Sequence, residues 1–262
     1  MTELLSYRDT ELLLLKLGET AERVLLVGGQ AVNFWAGYFA TEAPELERDR
    51  PFTSKDIDLL MPRREVRDVA ERLHGTAKIA GFDDVTPSLA TVVYVDDHGD
   101  RRVLDVMNTV LGMKTGEIER TSLAVDYTTS TGTALRFRVM HPVLVMESRA
   151  YNVVRLPDQY NTDRGRRQAD ASVICAHAYL FELAHKGTAA AAKLTRHWNE
   201  RIFRFRTKND VGRSLADTYK IDVFSAVLLD SRLGEKFVTV RYPQMVSAVS
   251  RLRPSDPQKP QK

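Results

Sequence analysis

The chain has 262 residues, a formal net charge of +3, 43% hydrophobic and 28% charged residues, and one cysteine. That length can bury a sizeable core in one large or two small domains, and the composition is globular rather than disordered. The lone Cys175 excludes an internal disulfide and a cysteine-based zinc site, and Glu3, Arg8, Asp9 and Glu11 interrupt any N-terminal apolar leader.

No run is long and apolar enough to span a bilayer, so no membrane partner is expected, and a reducing, cytoplasmic setting is. Within Ser172-Val173-Ile174-Cys175-Ala176 the thiol reads as buried and structural.

Thr2 to Leu17 has the leucine spacing of an amphipathic helix, stopped by Gly18. Arg23 to Val27 is a short apolar strand ending at Gly28-Gly29, and Gln30 to Phe39 returns to helical spacing with Ala31, Phe34, Trp35 and Tyr38 on one side. A strand, two glycines and a helix leave unpaired N–H groups at a helix start, where the dipole also favours a phosphate. Thr41 to Arg50 reads as a loop and Arg64 to His74 as a helix. Thr91–Val95 and Arg102–Met107 read as strands joined by the turn Asp96-Asp97-His98-Gly99-Asp100, and Ala134–Met140 as one more.

Beyond Pro142 the pattern is helical: Val143–Asn152, Gly165–Leu183, Thr188–Phe205, Tyr219–Leu229 and Arg241–Leu252. The expected architecture is α/β, a mixed sheet flanked by helices over residues 1–141, then a helical domain over 142–253 and a disordered tail over 254–262.

Thr53-Ser54-Lys55-Asp56-Ile57-Asp58-Leu59-Leu60 carries the chemistry. Strand alternation puts Asp56 and Asp58 on one face and Ile57 and Leu59 on the other. Two carboxylates held side by side repel unless a cation sits between them. Asp105 interrupts a second apolar strand, where an unpartnered carboxylate is costly to bury. Three such groups from adjacent strands suit divalent ions used for in-line phosphoryl transfer. Asp96 and Asp97 compete with Asp105 for the third place, from a hairpin tip.

Gly28-Gly29, Asp56-Ile57-Asp58 and Asp105 together resemble the signature of the nucleotidyltransferase-fold (DNA polymerase β-like) superfamily. Within it, "GGQAVNFW" followed by "TSKDIDLL" looks most like the AbiEii-type abortive-infection toxins; the likeness covers Val24 to Met107. The resemblance implies an enzyme in which Asp56, Asp58 and Asp105 bind Mg²⁺ or Mn²⁺. Gly28, Gly29, Gln30, Ser54, Lys55 and Arg149 would bind ATP or another nucleoside triphosphate, and NMP would pass to an acceptor hydroxyl. Gln30 stands where many members carry Ser or Thr, and Arg149 where a Lys is expected. Arg164 to Asp170 roughly parallels a downstream Arg-rich stretch ending in an acid.

The implied acceptor is RNA, with a tRNA 3′ end as the expected site, in a toxin–antitoxin setting with an antitoxin protein as partner. Arg166, Arg167, Lys193, Arg196, Arg201 and Arg204 are the candidate RNA-binding residues, within a basic stretch that also holds Arg206, Lys208 and Arg213. Trp198, Ile202 and Phe205 in the same stretch read as core. The alternatives are the same chemistry on a protein or aminoglycoside-like hydroxyl, or a catalytically inactive nucleotide- or RNA-binding relative. An aminoglycoside-like acceptor predicts an acidic pocket in the helical half.

Overall fold

The computed structural model describes residues 5–48, 53, 54, 56–81, 83, 84, 88–129 and 131–252; Lys55 and the expected tail over 254–262 lie outside them. Chain contacts divide it into two compact units, Met1–Gly37 with Asp49–Ser148, and Tyr38–Arg48 with Arg149–Lys262.

In the first unit, α1 (Tyr7–Leu17) starts where the Ser6 backbone N–H donates to Asp9 (2.7 Å) and ends at Gly18, whose φ of +55° only glycine adopts cheaply. A 3₁₀ turn follows, then β1 (Leu25–Leu26) and α2 (Gly28–Tyr38). β1 is shorter than its apolar run: the 3₁₀ turn before it extends to Arg23, which pairs with Glu65 (3.1 Å) and Asp68 (2.8 Å), and α2 begins at Gly28. The segment expected to be a loop contains the short helix α3 (Glu45–Arg48), which belongs to the second unit.

β2 (Ile57–Leu60) and α4 (Glu65–Arg72) come next, then β3 (Thr76–Ile79), β4 (Ser88–Val95) and β5 (Arg101–Met107). The order continues with α5 (Thr115–Thr121), β6 (Leu123–Thr128) and β7 (Ala134–Val139). Strands β3 and β6 and helix α5 are additions to the expected set. Both strands lie at the edges of one seven-stranded mixed sheet of order β3-β4-β5-β2-β1-β7-β6. There they alternate exposed with half-buried residues, which leaves little apolar signal. β2 runs parallel to β5 and β1 parallel to β7; the other pairs are antiparallel. Ile57, Leu59, Leu104 and Val106 are buried on the core face of the central strands.

The helical region holds α6 (Pro142–Arg155), α7 (Pro157–Tyr160), α8 (Asp163–His185), α9 (Ala189–Lys208), α10 (Asp210–Tyr219) and α11 (Tyr242–Ser250). Thr162, Thr188 and Asn209 cap α8, α9 and α10 through their side chains. No α-helix spans the expected Tyr219–Leu229; α10 lies before it and ends at Tyr219. Asn209 Oδ1 accepts from the N–H groups of Val211 and Gly212, and Lys220, at φ +62°, ends it. Trp198, Ile202 and Phe205 are core as expected, and Cys175 is buried, its thiol pKa pushed up by burial. No helix among the described residues is long and apolar enough to cross a membrane.

Candidate metal centre

The hairpin turn sets the register of the centre. Asp96 Oδ1 accepts from the N–H groups of His98 and Asp100 at 2.9 Å each, its Oδ2 accepts from Arg102 Nε at 2.6 Å, and Gly99 takes φ +85°. Val95 therefore faces Arg101, and counting back along the antiparallel pair brings Thr91 opposite Asp105. On the other side of β5, Asp105 pairs with Asp58 of β2. Directly paired residues share a sheet face, so Thr91, Asp105 and Asp58 form one transverse row across three strands.

Asp56, just before β2, completes the group. One carboxylate oxygen from each of Asp56, Asp58 and Asp105 lies within 4.8 Å of the others, and all three residues are half-buried. Burial is the largest influence on Asp105 and raises its pKa above the usual carboxylate value; the Thr91 hydroxyl, donating to Asp105 Oδ1 at 3.1 Å, opposes the rise, and the charge of Asp56 adds a smaller one. A carboxyl penalised both by burial and by its neighbour's charge is a group that a cation would relieve, and the donor set is all oxygen, as a hard divalent ion requires. The competitors are committed elsewhere: Asp96 to its turn and Arg102, Asp97 to Lys16 at 2.8 Å.

The paired glycines meet the acids differently from the open cradle expected. Gly28, Gly29 and Gln30 are all buried. Gly28 has φ +65°, and a Cβ built there would lie 1.9 Å from Asp58 Oδ2 and 2.8 Å from Asp58 Cβ. The Val27 N–H donates to the Asp58 carbonyl (3.1 Å), fixing that approach. Gly28 thus lets the α2 start lie directly against an acid of the cluster.

The Gln30 side chain is hydrogen-bonded within the chain. Its amide Nε2 donates to the Leu5 carbonyl (3.2 Å) and its Oε1 accepts from Asn33 (2.8 Å). Leu5 in turn exchanges both backbone hydrogen bonds with Ser54 (2.8 and 2.9 Å), and Ser54 Oγ lies 3.5 Å from Asp56 Oδ1. Gln30 and Ser54 therefore fix the backbone that delivers Asp56, which is a positioning role. Lys55 lies outside the described residues.

The remaining candidates belong to the helical unit. Arg149 is buried, its guanidinium 5.9 Å from the centroid of the Tyr160 ring. Arg166 and Arg167 are exposed near the start of α8. Lys193, Arg196, Arg201 and Arg204 line one groove of about 900 Å³. Arg206, counted with the basic stretch, is instead buried and paired with Asp217 (3.2 Å) and Asp222 (3.0 Å).

Thr91 was missed by sequence reasoning, although the turn centred on His98 pairs residues whose numbers sum to 196. Extending that count would have found it. The internal hydrogen bonds of Gln30 and Ser54 were not foreseen, since no local signal marks a side chain that bonds a carbonyl 25 residues away.

No family model and no curated protein matches the sequence. Among solved structures, the chain has a likeness to an antigenic nucleotidyltransferase-like protein from Paracoccidioides brasiliensis. The two share 12% identity over 65% of this chain and 78% of that one, with a TM-score of 0.39. An overlap that loose supports no conclusion about this chain, and the reading below rests on the residues.

Proposed function

We propose that the chain is a metal-dependent nucleotidyltransferase that moves NMP from a nucleoside triphosphate to an acceptor hydroxyl. The observation that supports it is the meeting of Asp56, Asp58 and Asp105 on one sheet face, against the glycine start of α2. Mg²⁺ or Mn²⁺ held by these three carboxylates would neutralise the triphosphate and acidify the attacking hydroxyl.

The chain's own residues divide the work. Asp56 and Asp58, on the segment pinned through Ser54, Leu5 and Gln30, provide fixed negative charge at the β2 start. Burial raises the Asp105 pKa above the usual carboxylate value, and Thr91 donates to its Oδ1. That leaves Oδ2 to take the proton of the acceptor hydroxyl. Gly28 keeps Asp58 in place, and the eleven-residue α2 directs the positive end of its dipole toward the same corner, favouring the phosphates.

In this proposal the acceptor is RNA, following the family resemblance, with a tRNA 3′ end, a toxin role and an antitoxin partner as its further parts. The helical-unit groove counts only against an aminoglycoside-like acceptor, because six Lys and Arg side chains against two Glu would repel a polycation.

Incubation with each α-labelled nucleoside triphosphate, Mg²⁺ and total RNA or cell lysate tests the proposal. Label on RNA with the wild type, and none with Asp58→Asn, is the expected result. Label on protein keeps the chemistry and replaces the acceptor. No transfer from any triphosphate, or equal transfer by Asp58→Asn, overturns the reading.

A further inference from the structure

The groove in the helical unit is a feature that the acid centre does not use. One wall is the face of α9 carrying Lys193, Arg196, His197, Glu200, Arg201 and Arg204, positions that recur every third or fourth residue. From 193 to 204 this face runs about 16 Å along the helix. The facing wall is the segment from Leu233 to Arg241, which contributes Lys236 and Arg241 and includes a π-helical turn over Phe237–Arg241. Such turns are rare and recur at functional sites.

Two of the cations are fixed in place. Arg241 holds Glu200 with two hydrogen bonds (2.5 and 2.7 Å), and that contact keeps the Glu200 carboxyl below its usual pKa, so the pair is internal and charged. Arg196 Nη1 donates to the Leu233 carbonyl at 2.7 Å, which ties the two walls together and leaves other guanidinium N–H groups for a ligand. The side chains of Lys193 and Lys236, one on each wall, are exposed and make no hydrogen bond or ion pair with another described residue. Gly234, at φ +92° and with nothing nearer its built Cβ than Arg196 at 4.0 Å, turns the chain between Leu233 and Lys236.

We propose that this groove binds a compact polyphosphate, three or four phosphoryl groups in a chain or clustered on one small scaffold, without the help of a metal ion. Its sign selects an anion. Its two opposed cationic walls and a volume of about 900 Å³ suit a small ligand enclosed from both sides, since small-molecule sites span roughly 300–1,000 Å³. A nucleic-acid strand is disfavoured by the aromatics. Strand-binding grooves offer several ring faces for bases to stack on, whereas here the lining Phe237 is buried at 5% exposure and His197 is the one exposed ring among the lining residues. The site is independent of the acid centre and of the reaction proposed for it.

Calorimetric titration with sodium tripolyphosphate, in EDTA, tests the assignment. The wild type binds one tripolyphosphate per chain, saturably, and Asp58→Asn binds it equally well, which separates this site from the acid centre. The double variant Lys193→Gln/Lys236→Gln keeps the wild-type melting temperature, because both side chains are exposed and unpaired, and binds at least about tenfold more weakly. Absence of saturable binding, unchanged affinity in the double variant, or equal competition by sulfate at matched ionic strength would each overturn the proposal. So would a 20-nucleotide RNA that binds the groove tenfold more tightly than tripolyphosphate and is lost with the same double variant. That outcome makes the groove an RNA track.

Discussion

Replacing Gly28 by Ala tests how closely the start of α2 and the acid cluster depend on each other. The new Cβ meets two penalties. The backbone sits at φ +65°, where an L side chain costs about 1–2 kcal/mol. The Cβ would also lie 1.9 Å from Asp58 Oδ2, 2.7 Å from its Cγ and 2.8 Å from its Cβ. Rotating the Asp58 side chain relieves the first two contacts but not the third, so the β2 backbone must retreat as well. Overpacking of this kind costs a further 1–3 kcal/mol or so. Together they give roughly 3 kcal/mol, a fall of about 6–12 °C in Tm for a chain of this size. Carrying Asp58 about 1 Å from its partners should also lower transfer about 100-fold. Gly37→Ala, in the same helix with open space around its built Cβ, is the control: a change between zero and a gain of about 1 kcal/mol. Thermal denaturation and the nucleotide-transfer assay read both. A Gly28→Ala protein with wild-type Tm and activity would refute the close approach of Gly28 to Asp58.

The raised pKa of Asp105 carries a definite sign. Its carboxyl holds a proton in the folded chain at a pH where the unfolded chain has released it. Its contribution to stability is therefore fully present below the unfolded pKa and is lost as pH rises through the folded one. Asp105→Asn should raise the Tm of the metal-free protein near pH 7 and flatten that pH dependence, while weakening Mn²⁺ binding at least about tenfold; a lower Tm would contradict the sign. Thr91→Val removes the hydrogen bond that opposes the rise. Metal binding should then weaken by about ten- to a hundred-fold and its pH midpoint move upward, with the fold intact. In the helical unit, Arg206→Met strips the buried partner of Asp217 and should cost about 3–5 kcal/mol in denaturant unfolding; a loss below 1 kcal/mol would show the pair to be solvated.

The central strands were legible because their chemistry is local. Leu25-Leu26, Ile57 to Leu60 and Arg101 to Met107 announce themselves by apolar runs, and the one Asp inside the last proved to be the one that joins Asp56 and Asp58. The edge strands β3 and β6 were not legible: half their residues face solvent, and pairing with β4 and β7 rather than composition makes them strands. Tyr219–Leu229 misled because its apolar residues pack a 3₁₀ turn at Val223–Ala226 and the extended chain after it, while the helix is set by the Asn209 cap. At the acid centre the strand alternation of Asp56 and Asp58 was readable, but the burial of Gly28-Gly29 was not. Whether a glycine opens a cradle or admits a neighbouring carboxylate depends on the strand beside it. Arg206 shows the same limit: its sequence neighbours are basic, yet its partners are Asp217 and Asp222.

Titration of the metal-free protein with Mn²⁺, followed by electron paramagnetic resonance, addresses the acid centre most directly. The wild type should take up Mn²⁺ saturably, displaceable by Mg²⁺, and both Asp58→Asn and Asp105→Asn should lose that uptake while melting no lower than the wild type. Uptake by either variant equal to the wild type would mean that these carboxylates meet on the sheet for some purpose other than holding a cation.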